Sequence, residues 1–289
     1  MKSVHLKAYA KINLGLDVLR KREDNYHEVR MIMQTIDLYD KLTLKILDED
    51  TIILKTNLSF LPTNENNLVY KAVKLLKDEF QIKKGVLIDL EKHIPVAAGM
   101  AGGSTDCAAA LKGMNKLFHL NLTPNQLMER GVLLGADVPY CILGGTALSE
   151  GIGEVLTPLS PMPPCHVLIV KPSMHVSTKF VYENLNVGLL TSHPDIDGMI
   201  QAIKKKDVAG VAMRLENVLE TVTINEYPII EEIKQLMKDA GALGALMSGS
   251  GPTIFGLFDN ILLAEKAKSI CRKHDNNHRV YVVDIKNEA

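Results

Sequence analysis

Between residues 4 and 14 apolar and polar side chains alternate. This period of two predicts a strand over 3–20, with Ala8, Ala10 and Ile12 on one face and Lys11 and Asn13 on the other. A polar turn, Lys21-Arg-Glu-Asp-Asn25, ends it, and Asn at the end of a tight turn suits a positive φ. Tyr26-His27-Glu-Val reads as ordinary strand or as an aromatic face beside a hydrogen-bonding group. Further strands are predicted over 31–38, 40–47 and near 51–56. Apolar positions 68, 69, 72, 73, 75, 76 and 80 then recur with helical spacing behind Asn66-Asn67, an amphipathic helix with an Asn cap.

A short apolar run, 86–90, feeds P-V-A-A-G-M-A-G-G-S-T-D at 95–106, and the helix-forming Cys107-Ala-Ala-Ala-Leu-Lys follows. Strand, glycine-rich turn and helix start together present bare backbone N–H groups to an anion. Gly99, Gly102 and Gly103 are able to take positive φ, and Ser104, Thr105 or Asp106 to cap the helix. The plainer alternative is a tight, capped loop. No Lys follows the glycines as in a Walker A loop, and the spacing is not that of a Rossmann fingerprint. The helix is expected to end near Phe118. Thr123-Pro124-Asn-Gln126 predicts the next, with Thr as its cap, to about residue 134. In Gly135-Ala-Asp137-Val-Pro139, local pattern leaves Asp137 as a short-helix cap or a functional acid; 142–148 reads as a strand interrupted by glycine.

Prolines at 158, 161, 163 and 164 mark the best domain boundary. Beyond it come a strand at 165–170, a helix start at Ser177-Thr178 and helices over 196–203, 208–215 and 229–240. A strand–glycine turn–strand from 245, a helix over 261–274 and a strand over 279–283 complete an α+β sandwich. Length agrees: 289 residues suggest two domains, 1–160 and 161–289, sharing a cleft.

Composition is that of an ordinary soluble protein, 46% apolar and 23% charged. A net charge of −1 offers no general affinity for nucleic acid or an anionic membrane, so any phosphate must be held by local groups. Cys107, Cys141, Cys165 and Cys271 form no C-x-x-C pair, which suits reduced thiols and a cytoplasmic location. The first residues lack the apolar core of a signal peptide, and no run approaches the ~18 apolar residues of a membrane span. No obligate protein partner is inferred.

The Lys-x-Asn strand (Lys11, Asn13), the loop 95–105 and Ser248-Gly-Ser-Gly-Pro252 resemble, along the whole chain, the GHMP kinases. These are small-molecule kinases named after galactokinase, homoserine kinase, mevalonate kinase and phosphomevalonate kinase. Ala8-Tyr-Ala-Lys-Ile-Asn-Leu-Gly-Leu, Asn25-Tyr-His, the 95–106 loop and Gly135-Ala-Asp-Val-Pro form an ordered set. That set is similar to the branch acting on a cytidine diphosphate methylerythritol in the non-mevalonate isoprenoid route. Thr105 stands for the usual second Ser, Met100 and Cys107 for common Leu and Ala, and Asn25 for the usual Gly before Tyr-His.

The resemblance implies a two-domain α+β fold, its N-terminal domain like domain 2 of ribosomal protein S5 and its C-terminal domain ferredoxin-like. It implies an ATP-dependent phosphotransferase with Asp137 as base and Lys11 holding that carboxylate ionised. Pro95, Val96, Ala97, Ala98, Gly99, Met100, Ala101, Gly102, Gly103, Ser104 and Thr105 would form the nucleotide loop, with Asn66 or Asn67 bordering adenine and Ser104 a ligand of Mg2+. Tyr26 and Tyr182 would sandwich cytosine, with Phe180 the alternative ring. His27 would read the base's polar edge, and Asn13 and Thr178 would contact the rest of the substrate. A kinase of another small alcohol, such as homoserine or mevalonate, would need no aromatic clamp. A silent nucleotide binder would be expected to have lost Lys11 or Asp137.

Overall fold

The computed structural model describes residues 2–288. Two strands dominate it: β1 (Ser3–Lys21) and β2 (His27–Leu47) pair antiparallel from Ser3↔Lys45 to Lys21↔His27. The sequence pattern divides β2 into two strands, whereas the chain runs through as one, with the register shifting between Tyr9 and Lys11, Asn13 and Gly15, and Val18 and Arg20. Such bulges bend a long ribbon and raise its twist, so one pair of strands can serve several packing directions. The turn between them needs Asn25 at φ 66°, as the sequence predicts.

Around this ribbon stand β3 (Ile52–Thr56), α1 (Leu68–Glu79), β4 (Gly85–Glu91), α2 (Gly102–Leu117), α3 (Pro124–Val132), α4 (Val138–Leu143), β5 (Thr146–Gly151) and β6 (Val155–Pro158). Asn67 caps α1 by accepting from the Val69 amide, and Thr123 with Gln126 forms a full capping box on α3. The strand predicted over 142–148 is corrected: α4 ends at Leu143, and Gly144 and Gly145, with φ of 70° and 71°, turn the chain into β5.

After the prolines come β7 (His166–Lys171), α5 (Thr178–Asn184), α6 (Ile196–Lys204), α7 (Val208–Ala212), β8 (Glu216–Asn217), α8 (Glu220–Glu226) and α9 (Ile229–Asp239). The chain closes with β9 (Gly244–Met247), β10 (Ile254–Phe258), α10 (Ile261–His274) and β11 (Arg279–Asp284). One sheet runs β3-β4-β2-β1-β8, with β5 paired to β2 and β6 to β5; the other is antiparallel in the order β11-β7-β10-β9. Counted within the second sheet that is fourth–first–third–second, the ferredoxin-like arrangement.

β1 feeds every core cluster. Val4 and Ala8 pack with the apolar faces of α1 and α2, whereas Ala10, Ile12 and Leu14 pack with Ile36, Met100, Val167 and Phe255. Leu16 and Val18 join Leu168, Val170 and Phe258. Ala8 therefore joins a different cluster from Ala10 and Ile12, across the register shift between Tyr9 and Lys11. Because two of the three clusters mix residues from both halves of the chain, the halves are expected to unfold together. Ile12→Ala, at a fully buried position, should cost roughly 2–5 kcal/mol. Urea denaturation followed by fluorescence and by far-UV circular dichroism should show one coincident, shifted transition.

Candidate active site

The loop before α2 lies against the β1 backbone where β1 leaves its regular pairing. Lys11 N–H donates to the Met100 carbonyl at 3.3 Å, and the Thr105 hydroxyl donates to the Tyr9 carbonyl at 2.6 Å. The left-handed positions are Ala97, Gly99 and Ala101, with φ of 49°, 69° and 55°. Gly102 and Gly103 instead form the first turn of α2, which corrects their expected conformation. The expected cap is corrected too. Ala101 occupies the N-cap position and no side chain accepts from the helix start, because Ser104, Thr105 and Asp106 lie inside the helix. The first amides of α2 are thus left without a side-chain acceptor, the condition that favours an anion there.

Gly99 answers to packing. A Cβ there would lie 2.2 Å from the Ser248 carbonyl oxygen, and the Ser248 hydroxyl donates to the Gly99 carbonyl at 2.9 Å. The Ser248-Gly-Ser-Gly turn, with Gly249 at φ 58° and Gly251 at φ 86°, therefore docks directly on the first loop. Next to it the hydroxyls of Ser250 and Thr178 are 2.8 Å apart, and Ser177 caps α5 through the Phe180 amide.

These elements enclose a cavity of about 780 Å³. Of the residues singled out from sequence, Lys11, Asn13, Tyr26, His27, Ala97, Ala98, Gly99, Ala101, Gly102, Gly103, Ser104, Asp137, Thr178 and Tyr182 line it. Pro95, Val96, Met100 and Thr105 do not: Met100 is buried in a core cluster, and Thr105 spends its hydroxyl on β1. Asn66 is exposed outside the cavity, its N–H donating to Asn64, while Leu68 in the first turn of α1 reaches the lining. Phe180 is likewise absent from the lining. Lys21, Lys179 and Glu183 line it without having been singled out, since lone charges in polar stretches carry no local pattern.

Lys11 is buried, yet its ammonium donates to a neutral amide, Asn13 Oδ1, at 2.7 Å, and it forms no ion pair with Asp137. Asn13 donates in turn to the Met31 sulfur. Asp137 precedes α4 at the N-cap position, but its carboxylate does not cap the helix. A buried ammonium without a carboxylate and an acid not engaged as a cap, facing one cavity, suit chemistry better than stability.

At another part of the lining the His27 and Tyr182 rings lie 5.1 Å apart, tilted by 37°, and Tyr26 is 57% exposed. Burial, and then the charge of Lys21, lower the His27 pKa, so its ring is neutral at pH 7. Burial pushes the Tyr182 hydroxyl up, so it stays protonated.

Beneath the loop lies a buried charge cluster. Lys92 bridges Asp40 on β2 and Asp106 on α2, the second at 2.6 Å. Burial, followed among the causes that raise it by Asp40, pushes the Asp106 carboxyl well above the usual aspartate range against the pull of Lys92.

Two family profiles match the chain: "GHMP kinases N terminal domain" over residues 67–145 and "GHMP kinases C terminal" over residues 199–277. A 4-diphosphocytidyl-2-C-methyl-D-erythritol kinase of Lachnoclostridium phytofermentans is 63% identical over 267 residues, 92% of each chain. That of Lachnospira eligens is 55% identical over 284 residues, covering 98% of this chain and 99% of its own. Among solved structures, a 4-(cytidine 5'-diphospho)-2C-methyl-D-erythritol kinase superposes with a TM-score of 0.84 at 30% identity, covering 98% of this chain and 99% of its own. A homoserine kinase from Cytophaga hutchinsonii superposes at 0.82 with 21% identity, over 100% of this chain and 96% of its own, a likeness of fold. With its two glycine loops docked over one cavity and these relatives along nearly its whole length, the chain belongs to the 4-diphosphocytidyl-2-C-methyl-D-erythritol kinases of the GHMP kinase family.

Proposed function

We propose that this chain transfers the γ-phosphoryl group of ATP to the 2-hydroxyl of 4-(cytidine 5'-diphospho)-2-C-methyl-D-erythritol, a step of the non-mevalonate isoprenoid route, in the cavity lined by β1, the loop before α2, α5 and the Ser248 turn. The observation that carries this reading is the meeting, in one space of about 780 Å³, of an uncapped helix start, a Lys–Asp set and an aromatic–imidazole corner. Phosphoryl transfer asks for little covalent help. It needs alignment, stabilisation of spread negative charge and a group to receive the alcohol proton.

In this reading the amides of residues 99–104 and the positive end of α2 hold the ATP phosphates. The adenine extends toward Leu68, with Asn66 beside it. Asp137 receives the proton of the acceptor hydroxyl, and Lys11, steadied by Asn13, holds the developing alkoxide and the transferred group. Tyr26 and Tyr182 hold the cytosine, His27 reads its edge, and Thr178 contacts the sugar-alcohol side. The presence of Tyr182 in the lining, and the absence of Phe180 from it, favours Tyr182 as the second ring.

Among the described residues no group of three His, Cys, Asp or Glu forms a ready cation cage. A half-buried Ser104 hydroxyl in the first turn of α2 nonetheless fits a Mg2+ bound chiefly by phosphate oxygens and water. When bound, that ion would neutralise charge on the β- and γ-phosphates. A cytoplasmic setting belongs to the same proposal. Four free cysteines support it, and burial raises the thiol of Cys271 to about 11 and those of Cys107 and Cys165 to about 12. No described helix is long and apolar enough to cross a membrane.

The direct test is a phosphorylation assay with the cytidine diphosphate methylerythritol against homoserine and mevalonate; preference for either of the latter would refute the proposed acceptor. Asp137→Asn should lower turnover by roughly 10²–10⁴ while leaving ATP affinity in place, as read by steady-state kinetics and calorimetry. Tyr26→Ala and Tyr182→Ala should each weaken CDP binding about ten- to a hundred-fold and spare ATP, whereas Phe180→Ala should not. CDP that binds no better than UDP would sink the clamp. Because the His27 pKa is lowered, CDP affinity should hold across neutral pH. It should fall only at acidic pH, below the ordinary histidine range, where the ring gains a proton.

A further inference from the structure

The Lys92 cluster lies where the nucleotide loop begins and ends. Asp40 Oδ1 accepts the N–H groups of His93 and Ile94, the last two residues before Pro95, the latter at 2.8 Å. Asp40 Oδ2 and Asp106 Oδ2 both take the Lys92 ammonium, which is also 3.4 Å from the carbonyl of Gly102, the first residue of α2. A Cβ on Gly102 would meet Lys92 Nζ at 3.4 Å, so the ammonium sits directly beneath the helix start. The Lys92 backbone is held as well, its N–H and carbonyl paired with the side-chain amide of Asn57.

Side-chain exposures of 4% for Lys92, 0% for Asp40 and 4% for Asp106 take all three charges out of water. Asp106 Oδ1 is buried with no partner. Such a cluster is a poor way to gain stability, because burying charges costs several kcal/mol per ion before their attraction is counted. Two carboxyls on one ammonium, one oxygen left orphaned, suggest selection for position over stability.

We propose that Lys92 is a positioning residue for ATP: through Asp40 on one side and Asp106 and the Gly102 carbonyl on the other, it fixes the two ends of the loop and thereby aims the first amides of α2. This rests on the reading of that helix start as the phosphate site. The ammonium does not line the cavity and touches no reacting atom; its effect passes through the backbone it holds.

Lys92→Met should raise the KM for ATP about ten- to a hundred-fold, the range that ångström-scale misplacement costs, with CDP affinity kept because the aromatic corner is held by other elements. Lys92→Met leaves two acids without their cation, so a second variant guards against misfolding. Asp106→Ala keeps a one-to-one Lys92–Asp40 pair and should show the same selective rise, and Asp106→Asn, which retains an oxygen for Lys92, a smaller one. Steady-state kinetics with both substrates, beside calorimetric titration with CDP, separates the outcomes. An ATP KM within about three-fold of wild type in both Lys92→Met and Asp106→Ala, or a parallel loss of ATP and CDP affinity, would overturn the positioning role. Wild-type protein whose rate does not saturate with ATP would instead remove the phosphate reading itself, and this role with it.

Discussion

The structure hangs on one long antiparallel ribbon. β1 and β2 carry buried side chains into all three apolar clusters. The same stretch of β1 that anchors the cores presents Lys11 and Asn13 to the cavity and receives the loop before α2 through its backbone at Tyr9 and Lys11. A bulge, not a loop, frees the backbone for that contact. Position of the ammonium and rigidity of the core are consequently the same property. A substitution that slackens the ribbon cannot leave the proposed chemistry untouched.

The two glycine turns show how little room the arrangement leaves. At Gly99 even a methyl group would collide with the Ser248 carbonyl. The N-terminal loop is therefore shaped partly by the C-terminal turn. Ala97 and Ala101 hold left-handed conformations that cost an L-residue something of order 1 kcal/mol each. That strain is tolerated where surrounding contacts over-determine the backbone, and here they do: β1, the Lys92 cluster and the Ser248 turn grip the loop from three directions.

Much of this was legible in sequence, for identifiable reasons. Alternation found β1, helical spacing found α1, and Thr123 with Gln126 marked the start of α3, because each signal is local. Order along the chain then linked Lys11, the glycine loop and Asp137, which the fold gathers around one cavity. What stayed hidden depends on distant partners. Gly99 looks like a residue for ligand approach until Ser248 is seen against it. Ser104, Thr105 and Asp106 look like caps until the helix starts two residues earlier. Lys92 has no signature at all, since its partners are 52 and 14 residues away.

The end of the chain returns to the ribbon. Lys286 N–H donates to the Thr35 carbonyl, Gln34 donates to the Lys286 carbonyl across 252 residues of sequence, and Asn287 donates to the Met162 carbonyl. Gly145 has little room for a side chain because the Asn287 carbonyl oxygen lies 2.8 Å from where a Cβ would go. In a chain made from its N-terminus, the middle of β2 waits for these hydrogen bonds until residues 286 and 287 have been made. Closing so long a loop comes late, after shorter-range contacts have repaid their own entropy. The contacts that tie down the middle of β2 therefore depend on residues that follow β11.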